Sequence, residues 1–261
     1  MILRSRGLAR RTRDEHDHFL KLGRLWRAAA EPVSVFRPRA VLHDQLGKPS
    51  CLPQSYAQGI EPITGKRVSA VRWHEGARTL QGMANIADVG TRSAFVLGWA
   101  DRHGWADYTP GEDARAEPFD TDGLVYDSIG EAMAASRRAH RLLLHQVIDT
   151  TASVDAIRRQ IVAALNEPDT FVPLEGGTRG DFDHLEPNAI ETGKNRGGDD
   201  HGHAELACGY DAKRDALLVK GSWGNWTWCT LPDGTIAQGC YWFALPAVRG
   251  LWAADAIRVV P

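Results

Sequence analysis

The feature that most confines this 261-residue chain is the segregation of its two kinds of hydrophobic patterning. Helix-like stripes fill the region up to Leu165, with one strand-like apolar run at Leu142 to Ile148, and strand-like runs dominate from Thr170 onward. Val154 to Leu165 reads as a helix bounded by Ser153 and Pro168. Earlier, Leu52 to Gly59 admits a helix, because Pro53 would fall in the first turn, where no intrahelical N–H is lost; Glu61-Pro62 is expected to close it. Val68 to Leu80 and Thr91 to His103 are two further helices, the second opened by Thr91 and stopped by Gly104. The strands are expected at Thr170 to Leu174, His203 to Tyr210, Ala216 to Trp223, Tyr241 to Leu245 and Ala256 to Val260. Helices first and strands later point to an α+β fold.

Less ordered stretches separate these blocks. Val33 to Val41 reads as extended chain, Trp105 to Thr121 as a connection rich in Pro, Gly and acids, and Glu175 to Asp200 as a long polar loop of the kind that often rims a functional site. Ser128 and Glu131 have capping-box spacing before a short helix, Ala132 to Arg138. At the amino end Arg4, Arg6, Arg10, Arg11 and Arg13 form a basic arm. Thr12 and Glu15 repeat the capping-box spacing before an amphipathic stripe of Phe19, Leu22, Trp26 and Ala29. A solvated arm and a packed helix account for this region, and it is also the only segment suited to a nucleic-acid or assembly partner.

Bulk properties exclude several classes. Lys and Arg total 31 against 33 for Asp and Glu, a formal net charge of -2, so no global field favours nucleic acid or an anionic membrane. No apolar run approaches the roughly 18 residues needed for a membrane span, and residues 1–30 lack the apolar core of a secretory signal. Cys51, Cys208, Cys229 and Cys240 fit neither a disulfide scaffold nor a zinc set, so a reducing, cytoplasmic setting is expected, with association to a virion or other particle as the variant. Cys229 and Cys240 flank the turn Pro232-Asp233-Gly234 and read as small, half-buried side chains. Asp199, Asp200 and His201 read as a polar loop tip; no metal and no cofactor is expected.

The chemistry concentrates on one thiol. A free cysteine, with a pKa of about 8.5, is mostly protonated near neutrality and needs help to become a nucleophile. At the start of a helix Cys51 would meet unsatisfied N–H groups and the positive end of the helix dipole. An imidazole alongside could hold the proton, and His203, heading an apolar strand, is the candidate. Lys48 would add positive bias. The oxyanion formed on attacking a carbonyl needs donors, which the Gln45 side-chain amide and the Cys51 N–H can supply.

These residues resemble those of the papain-like cysteine peptidases. Gln45 stands six positions before Cys51, as the family's oxyanion-hole Gln does, and Ser50-Cys51 matches the small residue and nucleophile. His203-Ala204 through Gly209-Tyr210-Asp211 is similar to the family's GHAVxxVGYD strand, and Lys220-Gly221-Ser222-Trp223-Gly224 to its KNSWG block; Gly239 to Phe243 and Ala254 to Val260 resemble the final strands of bacterial members. The likeness covers roughly residues 33–261. It implies a two-lobed fold, with residues 33–121 a helical lobe carrying the nucleophile and residues 122–261 a β-barrel-like lobe carrying the histidine, the cleft lying between them and residues 1–32 forming the arm and helix. It also implies catalytic Cys51, His203 and Gln45, support from Trp223 and Ser222, and substrate contacts at Gly90, within Asp88 to Thr91, and at Gly202. Lys48, Pro49 and Leu52 depart from the pattern, and residues 1–32 leave no room for the inhibitory propeptide, as expected of a bacterial or phage-type member lacking one.

Gly221 is the departure that matters, because the family places there the Asn that orients the histidine. Glycine leaves the imidazole N–H to water, a backbone carbonyl or a side chain such as Asn225. Losing a neutral hydrogen bond of about 0.5–1.5 kcal/mol is expected to slow the chemistry without abolishing it, and Gly221→Asn to raise turnover. The first reading is therefore a thiol peptidase acting on protein or peptide substrates through an acyl-thioester. An amidase or transferase using the same thioester is the second, and a weakened pseudopeptidase serving as a binding module in a larger assembly the third. Oligomeric state is not encoded in any of these patterns.

Overall fold

A computed structural model describes residues 34–37, 41–46, 49–82, 90–111, 142–178, 185–193 and 201–260. The basic arm, the Ser128–Arg138 helix, Lys48, Asp88, Val89, Asp199 and Asp200 lie outside the described residues. The fold is α+β, with four described α-helices and ten strands. The helices are α1 (Cys51–Thr64), α2 (Ala70–Leu80), α3 (Ser93–His103) and α4 (Val154–Asn166). The strands are β1 (Val35–Phe36), β2 (Leu142–Val147), β3 (Thr170–Thr178), β4 (Ile190–Glu191), β5 (His201–Asp211), β6 (Ala216–Lys220), β7 (Trp228–Thr230), β8 (Ile236–Gln238), β9 (Cys240–Ala244) and β10 (Ala253–Val260).

Eight strands make one sheet in the order β2-β10-β3-β5-β6-β9-β4, with β1 added to β5, and β7 and β8 form a separate hairpin. Every pairing in the large sheet is antiparallel except β4 with β9. Among the described residues the path does not close, so the sheet is open and not the barrel that the resemblance implied. One end of the path is β4, only two residues long, too short to carry a closing ladder. That strand falls in the stretch expected to be loop, and β3 also runs four residues past its expected end at Leu174.

Helix α1 crosses β3 and β5 and also touches α2 and α3, so it ties the helices to the sheet. Tyr56 is the pivot: its ring meets Trp73 of α2 edge-on at 5.6 Å and Phe171 of β3 at 5.5 Å. The helix does not stop at Pro62. It runs to Thr64 and ends on Gly65, whose φ of 69° is left-handed and whose N–H returns to the Glu61 carbonyl. Proline removes only one helical donor near the end, and Glu61 holds the last turn in place by accepting from the Val68 N–H at 2.9 Å. Ser69 caps α2, which begins two residues later than the apolar pattern suggests, by accepting from Arg72 N–H, and Ser153 caps α4 as its sequence suggests. Thr91 is buried and lies ahead of α3, which begins at Ser93 with Arg92 in the cap position and no side-chain cap bond.

Close approach of α1 to β3 depends on Gly59, where a Cβ would lie 2.4 Å from the Phe171 ring. Helix propensity alone favours alanine over glycine by about 1 kcal/mol. Here the sign should reverse. Gly59→Ala is expected to destabilise by about 1–3 kcal/mol through overpacking, lowering the thermal midpoint by a few degrees; a midpoint equal to or above the parent's in a calorimetric scan would contradict this packing.

Candidate active site

The site begins with a loop pinned on two sides. His43 reaches α1, its Nδ1 hydrogen-bonding the Gln54 side-chain amide oxygen at 2.5 Å and its Nε2 lying 3.0 and 3.1 Å from the Glu61 carboxyl oxygens. On the other side, Gln45 N–H donates to the Ser222 carbonyl at 2.7 Å, Gly224 N–H donates to the His43 carbonyl at 2.9 Å, and Asp44 bridges Trp223. Gly224 has φ 65°, and a Cβ there would come within 2.8 Å of the Asp44 carboxyl, so glycine is required by both conformation and space. Leu46 sits in the left-handed region at φ 53°, its N–H held by Asp44 Oδ1 at 2.8 Å. The chain thus turns at Leu46.

Gln45 is buried, and its amide oxygen accepts from the Ser222 hydroxyl at 2.5 Å. With the oxygen committed there, the NH2 end of the amide is the part suited to meeting an anion. Cys51 is the first residue of α1 and is fully buried. Ser50 makes no side-chain cap bond to the helix; its hydroxyl accepts from Gln54 at 3.4 Å. The first-turn N–H groups are therefore not consumed by the cap residue. Gln58, seven residues further and on the same helix face as Cys51, donates to the Gly221 carbonyl at 3.2 Å. The face of α1 that starts at Cys51 accordingly looks onto the segment 221–223.

His203 lies on β5, fully buried, with its ring stacked on Trp223 at 4.3 Å between centroids and 19° between planes. Ser222 and Trp223 thus link Gln45 to His203 through one short segment. Gly202 is the residue before His203 and pairs across the sheet with Gly177. Gly90 is buried, but its carbonyl accepts from the Gln81 side chain at 3.3 Å, and that side chain also accepts from Arg92 N–H at 3.1 Å. Its described ties are to α2 and not to the Gln45 loop. Asn225 is exposed, whereas the imidazole of His203 is fully buried.

Two side chains border position 221. A Cβ at position 221 would lie 3.0 Å from Trp226 Nε1 and 3.5 Å from Glu205 Oε1. Glu205 Oε1 is in turn 3.8 Å from His203 Nε2, with both side chains fully buried. Residues 203 and 205 share one face of β5 by strand alternation, a signal present in the sequence as an acid two places after the histidine in an apolar strand. A Cβ at position 221 presses on the Trp226 indole, which must shift by a few tenths of an ångström, so Gly221→Asn has to displace Trp226 before its amide can face the histidine.

Cys208 and Cys229 are chemically quiet. Cys208 has its pKa raised well above the ordinary value, first by its hydrogen bond with Cys240 and then by burial, and burial pushes Cys229 up to about 12. Cys229 pairs with Ala237 across the β7–β8 hairpin, and all four cysteines are buried and outside any disulfide. A higher pKa means less thiolate at neutral pH, so Cys208 and Cys229 are expected to stay unmodified by iodoacetamide in the native protein and to react after unfolding in guanidinium. Peptide mapping by mass spectrometry checks this, and native-state labelling of either would contradict the burial described.

No protein-family model and no curated protein sequence matches the chain, whereas solved structures do. Xylellain, a cysteine protease from Xylella fastidiosa, superposes with a TM-score of 0.67 at 17% identity, covering 99% of this chain and 97% of its own. Digestive procathepsin L 3 from Tenebrio molitor larval midgut gives 0.59 at 14% identity, covering 90% and 73%. The ragweed pollen allergen Amb a 11, a cysteine protease in its proform, gives 0.57 at 16% identity, covering 89% and 67%. The chain has the papain-like cysteine protease fold.

Proposed function

We propose that this protein is a papain-like thiol peptidase in which Cys51 is the nucleophile, His203 its base and Gln45 the oxyanion donor. The observation that carries the reading is the double link through residues 222–223: Ser222 fixes the Gln45 amide while Trp223 stacks on His203. One short segment thereby links the proposed oxyanion donor to the proposed base. Three papain-like cysteine proteases with the same fold support the assignment.

The chemistry follows from these groups. Cys51 gives its proton to His203, and the thiolate attacks a peptide carbonyl. The carbonyl oxygen becomes an anion that the Gln45 NH2 and the Cys51 N–H stabilise. As the tetrahedral species collapses, the C–N bond breaks and imidazolium protonates the departing amine. Water, deprotonated by His203, then cleaves the acyl-thioester, releasing the acid and restoring the thiol. Trp223 covers one ring face and Ser222 keeps the Gln45 amide from turning over.

Cleavage of a fluorogenic peptide library tests this directly. Cys51→Ala and His203→Ala are each expected to abolish turnover, and Gln45→Ala to reduce kcat about 100- to 1,000-fold; Ser222→Ala should reduce it less, since it releases the amide without removing it. Cleavage that survives Cys51→Ala, or a folded wild-type protein that cleaves no peptide, would overturn the peptidase reading; in the second case, Cys51-dependent release of a non-peptide amine points to the amidase or transferase chemistry.

A further inference from the structure

We infer that Glu205 is the positioning residue of His203, supplying from the histidine's own strand the acceptor that Gly221 cannot. The inference rests on the Cys51–His203 reading above and goes beyond it by naming what holds the base.

Four observations converge. Glu205 Oε1 stands 3.8 Å from His203 Nε2, and neither side chain is exposed. That separation exceeds a hydrogen bond but lies within ion-pair reach, and catalytic contacts are often longer before substrate binds. The carboxyl group is fixed from its other oxygen, Oε2, which accepts from the Tyr241 hydroxyl at 2.6 Å. A Cβ at position 221 would press on Trp226 at 3.0 Å and touch Glu205 Oε1 at 3.5 Å, so Glu205 is the acid that borders the place of the missing side chain.

A ring of contacts then closes around the base. His203 stacks on Trp223, Trp223 meets Trp226 edge-on at 5.3 Å, and Trp226 meets Tyr241 at 5.8 Å. Tyr241 donates to Glu205, which faces His203 again. Three aromatic rings surround the pair and keep water from competing for the imidazole N–H. In such surroundings a carboxylate does more than an amide: it orients the ring and also favours its protonated form, the partner that a Cys51 thiolate requires. Glu205 touches no reacting atom, so its action is through His203.

The test uses the full chain and begins with wild-type protein and Cys51→Ala, because absence of Cys51-dependent cleavage there would refute the underlying reading and not this one. Given that cleavage, Glu205→Leu, close in volume and unable to accept, is expected to lower kcat about 10- to 100-fold with KM little changed and thermal melting cooperative. Glu205→Gln, which keeps an acceptor oxygen, should recover much of the lost kcat. Tyr241→Phe, releasing Oε2, should give a smaller fall in kcat and covers the case in which Glu205→Leu does not fold. Wild-type kcat in folded Glu205→Leu, or in both Glu205→Gln and Tyr241→Phe should the Leu variant fail to fold, would overturn the inference. So would a rise in KM at unchanged kcat, which marks a substrate contact in place of a positioning role.

Discussion

The structure turns on the short antiparallel clamp between residues 43–45 and 222–224. Two backbone hydrogen bonds and the Asp44–Trp223 bridge join a loop that leads into α1 to the segment that follows β6. The ends of this clamp carry different loads. On one, His43 anchors the loop to Gln54 and Glu61 of α1; on the other, Trp223 lies against His203. Remove the clamp and α1 still packs on β3 and β5, but the loop of residues 43–45 loses its described hydrogen bonds to the segment after β6. Placing that loop to ångström precision is what chemistry at such a site depends on.

Burial gives that precision its effect and also sets its cost. Cys51, His203, Gln45 and Glu205 are each at most 1% exposed, so polar groups there gain little from water and must be satisfied by one another. Glu205 receives Tyr241, Gln45 receives Ser222, and Gln58 donates to the Gly221 carbonyl. Each bond also removes a rotational freedom from a group next to the site. The same contacts that make buried polarity tolerable therefore hold the groups in register.

Much of this was legible in the sequence where local chemistry dictates structure. Ser153 and the apolar spacing after it fix α4, the strand around Ala207 and Tyr210 is unmistakable, and the Gln45–Cys51 spacing leads straight to the start of α1. What failed to show was set by tertiary contacts. The end of α1 depends on Gly65 and on Glu61 reaching Val68, not on Pro62. The two-residue β4 exists only because β9 lies beside it in parallel, which no local pattern announces. Glu205 was visible as a residue but not as a neighbour, since its place against position 221 depends on how β5 meets the segment beyond β6.

Where the acceptor is housed has its own consequence. An orienting side chain at position 221 would share no hydrogen-bonded ladder with His203, so its aim would depend on the clamp and on every residue between Lys220 and Trp223. Glu205 is two residues from His203 on a continuous strand, a separation of roughly 7 Å set by strand geometry alone. At these two residues the strand is paired with β3, Gly176 opposite His203 and Leu174 opposite Glu205, and its pairing with β6 begins at the next residue, Leu206. The proposed base and its proposed acceptor are therefore fixed relative to one another by one strand and one ladder. The lack of a side chain at Gly221 leaves room beside it for Trp226 Nε1 and Glu205 Oε1, 3.0 and 3.5 Å from where a Cβ would stand.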